Sequence, residues 1–287
     1  MFKSILETFR RNKLKKEFHE YGSVVDTFQL GEDGAVQVAQ WQHPFYHPLK
    51  LDAGLIAFYR QFIQAGDFAI DIGAHVGDTT IPMALAAEAS GAVMALEPNR
   101  HVYQVLAENA KLNKDKTHII PLCIAATAED GVFSFNYSDA SFCNGGFLSK
   151  REVTDRHHKY TLEIQGRNLD QLLRKDFAEY LPKLSFIKVD AEGYDKEIIK
   201  NLLGIINDFH PFILSECNHY LVKAEREELF DVMSAGGNTL YQIGLDQSRA
   251  SDFRSVNKQP LKKSDMMKHE HFDMLAVPAE RTIRQFS

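Results

Sequence analysis

The sequence predicts a doubly wound α/β fold on a mainly parallel sheet of about seven strands, with an antiparallel pair at one edge. Three observations carry that expectation. From Leu51 onward, short apolar runs alternate with helix-like stretches, the pattern of βαβ units whose strands are buried on both faces. One run, "FAIDIGAHVGDTT" from Phe68 to Thr80, passes from an apolar strand through a glycine-punctuated turn into a helix-like stretch. Late in the chain, "TLYQIG" and "FDMLAVP" read as strands with no clear helix between them, so they are expected to pair antiparallel.

Taken in order, the chain begins with "MFKSILETFRRNKLKKEFHE", where Phe2, Ile5, Leu6 and Phe9 share one helical face amid Lys3, Arg10, Arg11, Lys13, Lys15 and Lys16. Such a helix packs on its own domain or on a second copy of the chain, as a homo-oligomer contact, more readily than on an anionic membrane. The next thirty residues read as irregular or weakly stranded, so residues 1–50 are an N-terminal helical or irregular extension and 51–287 the main domain. In "WQHPFYHP", His43 and His47 stand four apart. Pro44 between them disfavours a regular helix face and predicts an aromatic-rich loop rather than a metal site.

Leu55, Ile56, Phe58, Tyr59, Phe62 and Ile63 then recur at helical spacing, stopped by Gly66 and Asp67. "FAIDIG" is a strand, Val76–Ala89 a helix, "AVMALEP" a strand, His101–Asn113 a helix and "THIIPLCIA" a strand. "VFSFNYS" and "TLEIQG" alternate apolar and polar residues, as half-buried strands do. The polar, glycine-containing stretch between them, at about 138–160, predicts an inserted loop that covers a site, with Phe142 as cover and Asn144-Gly145-Gly146 as hinge. "LSFIKVDAEG" is a strand running into a turn, Asp195–Asn207 a helix, "PFILSEC" a strand and Val222–Ala235 a helix.

Composition narrows the function. The 287 residues are 44% hydrophobic and 25% charged, with a net charge of −6, so bulk charge does not invite nucleic acid. Cys123, Cys143 and Cys217 form no CxxC pair, which predicts reduced thiols rather than disulfides or a thiolate zinc site. No apolar run reaches the roughly eighteen residues of a membrane span. The start of the chain carries no apolar signal core, and a cytoplasmic protein is the expectation.

In an open α/β sheet, ligands bind where strands end at their carboxyl edge. Gly73 and Gly77 flank that edge after the first strand, and glycine admits a ligand without a Cβ in the way. A dinucleotide fingerprint needs glycine two positions after Gly73, where this chain has His75. A nicotinamide oxidoreductase is therefore disfavoured, and the turn is no triphosphate cradle either. Glu97, ending the second strand in "ALEPN", suits the two hydroxyls of a ribose, and Asp71 suits an ammonium group. Ribose plus amino acid describes S-adenosylmethionine. The candidate cofactor residues are Asp71, Gly73, Ala74, His75, Gly77, Asp78 and Thr79 of the first turn, with Glu97, Pro98 and Asn99 of the second.

These motifs resemble the FkbM-type family of S-adenosylmethionine-dependent methyltransferases. "DIGAHVGDTT" is similar to the family's opening motif and "ALEPN" to its second. "SFIKVDAEGYDKEII" resembles its hallmark Ile-Lys-x-Asp-x-Glu-Gly run, "RNLDQLL" the segment before it, and "PFILSECN" the fifth strand. The resemblance runs from about Leu51 to Cys217. It implies a Rossmann-like, class I methyltransferase fold and a hydroxyl acceptor on a small molecule or glycan. At the third strand the family commonly has Asn, where this chain reads "PLCIAATAEDG".

Methyl transfer to a hydroxyl needs an aligned nucleophile and a base. Lys188, Asp190 and Glu192 alternate at the end of the fourth strand, which puts them on one side if the strand continues. Asp190 is the candidate nearest the transfer, with Lys188 its ionic partner and His219 an alternative base near working pH. Asp190 and Glu216, with Glu192, also suit Mg²⁺, a hard cation. Spacing does not separate metal use from direct proton transfer. A nitrogen or carbon acceptor, or a silent cofactor-binding module, are the alternatives.

Overall fold

The first two strands, β1 (Ser23–Gln29) and β2 (Ala35–Trp41), pair antiparallel, where the sequence reads as irregular or weakly stranded. They are followed by α1 (Ala53–Tyr59), β3 (Phe68–Ile72), α2 (Thr80–Ala87), β4 (Ala92–Leu96), α3 (Arg100–Asn109) and β5 (Ile119–Leu122). β6 (Ala125–Thr127), β7 (Gly131–Tyr137), β8 (Phe147–Leu148) and β9 (Tyr160–Asn168) come next, then α4 (Leu169–Asp176). The second half comprises β10 (Leu184–Val189), α5 (Asp195–Asn201), α6 (Leu203–Phe209), β11 (Phe212–Cys217), α7 (Lys223–Met233), β12 (Thr239–Leu245), β13 (Arg254–Pro260) and β14 (Phe272–Val277). This computed structural model describes residues 13–143, 146–148, 159–245 and 254–283.

The main sheet has eight strands in the order β13-β12-β14-β11-β10-β3-β4-β5. β11, β10, β3, β4 and β5 run parallel. β14 pairs antiparallel with both β11 and β12, so the expected late pair exists but lies inside the sheet. β13, a polar strand without apolar alternation, adds an eighth strand at the edge. The stretch "THIIPLCIA" is divided: β5 stays in the main sheet, whereas β6 turns away to pair with β9. β6, β9, β7 and β8 form a separate four-stranded sheet. Residues 195–207, read as one helix, break at Leu202 into α5 and α6.

Strand alternation sorts the core into two layers. Phe68, Ile70 and Ile72 of β3 pack with α4, α5, α6 and α7 through residues such as Leu173, Ile199, Ile206 and Leu229. Ala69 of β3, Phe186 of β10 and Leu214 of β11 face the other way, toward α1 and α2. Every residue of α2 is buried, as befits a helix between a sheet and a further helix. Caps fix the helix starts: Asp52 accepts the Leu55 N–H, Asn99 that of His101 and Asn168 that of Gln171.

The same alternation has a consequence at the carboxyl edge. Asp71 follows Ala69, Lys188 follows Phe186, Glu216 follows Leu214, and Asp273 stands two before Leu275, so one sheet face turns from apolar to ionic where the parallel strands end. Among the described residues no helix is long and apolar enough to cross a membrane. The basic amphipathic face at residues 2–9 lies outside the described residues. The segment from Lys15 to Phe18 packs on the body: Lys15 O accepts the Ala140 N–H, and the Phe18 ring meets His101 and Phe142. β2 belongs to the main core through buried Val36 and Val38.

Candidate active site

β3 is flanked by β4 on one side and β10 on the other, which is the switch point where an open α/β sheet leaves a crevice. Backbone hydrogen bonds fasten the three strand ends. Asp190 N donates to Ile72 O at 3.0 Å, and Gly73 N and Ala74 N donate to Leu96 O at 3.0 and 2.9 Å. Gly73 sits at φ +80°, and a Cβ there would lie 1.9 Å from the Asp190 carbonyl oxygen. The close approach that requires this glycine is therefore to the chain's own fourth parallel strand. Gly77, at φ +101°, packs on Leu106 of α3.

A cleft of about 280 Å³ opens above these ends. Its walls carry Glu97 and Asn99 from β4 and the start of α3, and Lys188, Asp190 and Glu192 from β10 and the turn after it. Phe135 and Tyr137 of the second sheet also line it. The Glu97 carboxylate accepts the His75 N–H at 2.9 Å and the Asn99 N–H at 2.8 Å, one on each oxygen. Burial raises its pKa to about 7 against those two donors. His75 takes φ +49°, and its ring lies near Trp41 and Tyr46. Burial lowers its pKa, so the imidazole is neutral near pH 7.

Beneath the cleft, Asp71 is wholly buried. Its Oδ2 accepts the Thr79 and Thr80 hydroxyls at 2.8 and 2.6 Å, and its Oδ1 lies 3.6 Å from the Lys188 ammonium. Burial pushes the carboxyl upward, while Lys188 and the threonines pull it back. Lys188 reaches Asp190 Oδ2 at 3.0 Å. Burial disfavours its charge, but Asp190 and Asp71 together hold its pKa above the ordinary value. The sheet thus ends in a continuous Asp71–Lys188–Asp190 ionic chain.

A family model described as the methyltransferase FkbM domain matches residues 71–240, more than half of the chain. The chain belongs to the FkbM methyltransferase family. This is a family of S-adenosylmethionine-dependent methyltransferases, and the strand order and switch-point cleft are those of its Rossmann-like fold. No curated protein matches the sequence. Among solved structures, the chain is similar to an FkbM methyltransferase from Methylobacillus flagellatus KT, at 15% identity and TM-score 0.44 over 75% of this chain. It spans 44% of that longer chain. A SAM-dependent O-methyltransferase from Thermotoga maritima aligns at 10% identity and TM-score 0.38, over 83% of this chain and 70% of the other. An O-methyltransferase from Bacillus cereus in complex with SAH aligns at 14% and 0.38, over 78% of each chain. At these scores the likenesses add nothing to what the strand order defines.

Of the residues expected to hold cofactor in this FkbM domain, Gly73, His75, Asp78, Glu97, Pro98 and Asn99 line the cleft. Asp71, Ala74, Gly77 and Thr79 do not. Asp71 and Thr79 stabilise the turn from below, Ala74 is buried in the core, and Gly77 packs on α3. Lys188 and Asp190 line it at the end of β10. His219 lines neither this cleft nor the smaller cavity beside it, and its ring leans on Tyr220. Glu216 lies in that smaller cavity, which Asp190 also lines, and its carboxylate is grouped with His271 and Asp273.

Three features of the FkbM domain's site escape sequence reasoning. Glu192 reads there as a strand-end neighbour of Lys188 and Asp190 and as one member of a carboxylate cluster. Here it lines the cleft at φ +51°, and burial, Asp190 and Glu216 raise its pKa to about 7. Asp195 anchors the turn carrying Glu192: it accepts the Ser215 hydroxyl at 3.1 Å and the Gly193 N–H at 3.2 Å. Burial, with Asp190 and Glu216 nearby, raises its pKa to about 8. Tyr137, expected only as a strand residue, reaches the cleft because the second sheet folds over it. Of the expected cover loop, Phe142 is described, stacked on His101 at 5.4 Å; Asn144 and Gly145 lie outside the described residues.

Proposed function

We propose that this FkbM domain transfers the methyl group of S-adenosylmethionine to a hydroxyl of a small molecule or glycan, with Glu192 as the base. The observation that carries the reading is the contrast between two carboxylates on one turn. Asp190 is tied to the Lys188 ammonium at 3.0 Å, whereas Glu192 faces the cleft with a pKa of about 7, matched to proton transfer at neutral pH.

The donor set fits the cofactor. Each Glu97 oxygen already takes one backbone N–H, and a carboxylate oxygen retains capacity for a further donor, here a ribose hydroxyl. Asp78, which lines the cleft where Asp71 does not, would take the ammonium group. Leu96, Ile124 and Ala126 provide apolar lining for the adenine. When bound, S-adenosylmethionine supplies an electrophilic methyl group. Glu192 accepts the acceptor's hydroxyl proton, and the Lys188–Asp190 pair orients the turn that holds it.

A second reading rests on charge. Asp190, Glu192 and Glu216 approach one another at the acceptor end, and such a rim suits an amine. Methyl-labelled cofactor offered with polyols, phenols, saccharides and primary amines separates the two. Label on oxygen, lost in Glu192→Gln, supports the first; label on nitrogen alone overturns it.

A further inference from the structure

Glu216 of β11 and Asp273 of β14 stand directly opposite one another in the antiparallel ladder. Like charges in that position repel, and both residues share the ionic face at the carboxyl edge of the sheet. His271 is two residues before Asp273, and its Nε2 lies 3.1 Å from Glu216 Oε1. One donor atom from each of the three side chains falls within 4.8 Å of the other two. The three border a cavity of about 100 Å³ whose remaining wall includes Ser215, Lys188 and Asp190. Asn218 Nδ2 donates to the other Glu216 oxygen at 2.9 Å, the kind of outer contact that orients a ligating carboxylate.

One imidazole and two carboxylates, brought together at the rim of one cavity, are a ligand set for a divalent ion. We propose that Glu216, His271 and Asp273 form a binding site for a divalent transition-metal ion of the Mn²⁺ or Zn²⁺ kind, next to the acceptor end of the cleft. Imidazole with two carboxylates suits such ions better than Mg²⁺, which prefers oxygen alone. Three protein ligands leave further coordination positions open toward the cavity. His271, with its side chain 51% exposed, offers an entry path from solvent. The site stands on its own residues and holds or fails whichever acceptor the domain methylates.

The test is direct binding to the full chain. After dialysis against chelator, the protein is titrated with Mn²⁺, followed by the electron paramagnetic resonance of the free ion, and with Co²⁺, followed by visible absorption. One ion per chain is expected for each, with His271→Ala and Asp273→Asn each weakening binding by at least about tenfold. Asp190→Asn, which removes no ligand, should leave it intact. Thermal unfolding of metal-free variants checks their fold; if Asp273→Asn does not fold, the half-exposed His271→Ala decides. The proposal is overturned if neither ion binds, if His271→Ala binds as tightly as wild type, or if only Asp190→Asn loses the ion.

Discussion

Gly73 and Asp190 cross so closely that a Cβ on the glycine would lie 1.9 Å from the aspartate's carbonyl oxygen. The contact locks the end of β3 to the end of β10 and sets the width of the crevice between them. Gly73→Ala would have to relieve that overlap while holding φ near +80°. Backbone strain and overpacking together predict a loss of about 2–5 kcal/mol, with cofactor binding lost alongside. Denaturant unfolding and calorimetry check the two effects; an alanine variant of unchanged stability would show that the strand ends yield easily.

Glu97 has two duties, because it accepts two backbone N–H groups and faces the cleft. Glu97→Ala should weaken cofactor binding by about 1.5–3 kcal/mol, the scale of a hydrogen bond to a charged group. Stability without cofactor should also fall, by about 1–3 kcal/mol, because two turn donors are left without an acceptor. Unaltered cofactor affinity would remove Glu97 from the binding site.

A base must be deprotonated to act. With Glu192 near 7, kcat measured at saturating cofactor should climb as pH rises through about 7 and level off above it. In Glu192→Gln the rise should vanish and turnover should drop by about a hundredfold or more. A variant that kept the wild-type profile would transfer the role elsewhere, and Asp190→Asn would be the next comparison.

Lys188→Met leaves Asp71 buried against its threonines with no cation, at a cost of about 3–5 kcal/mol. The sign of its pH dependence follows from Asp71, whose folded pKa burial already raises. With a folded value above the unfolded one, the folded state binds the proton more tightly. The variant should therefore be most stable in acid and lose stability as pH rises past the unfolded carboxyl's value. Thermal unfolding across that range reads the slope, and a flat line would mean Asp71 finds another partner.

Much of this organisation is legible from sequence where the physics is local. Phe68–Ile72 is an apolar run interrupted by Asp71 alone and followed by Gly73, so its strand and turn declare themselves. Lys188 and Asp190 share a side because pleat alternation fixes it, and their 3.0 Å contact follows. β13 escapes, since "RSVNKQP" lies at an edge where burial imposes no pattern. Asp71 invites a ligand role because an acid in a buried strand demands a partner, and only the fold shows that partner to be Lys188 with two threonines. The placement of His271 and Asp273 beside Glu216 depends on β14 slotting between β11 and β12. Residues so distant along the chain leave no local trace of that meeting.

The ionic face at the carboxyl edge also bears on engineering. Apolar side chains of matching volume at Asp71, Lys188 and Asp190 would replace a buried Asp71–Lys188 pair and its half-exposed partner Asp190 with packing, and removing a buried pair in this way often leaves a protein more heat-resistant. Selection for thermotolerance alone would drive variants toward that replacement and, on the role proposed above for the Lys188–Asp190 pair, return enzymes that survive heating but no longer turn over. A directed-evolution campaign on this protein should therefore screen for product at every round and hold those three positions fixed.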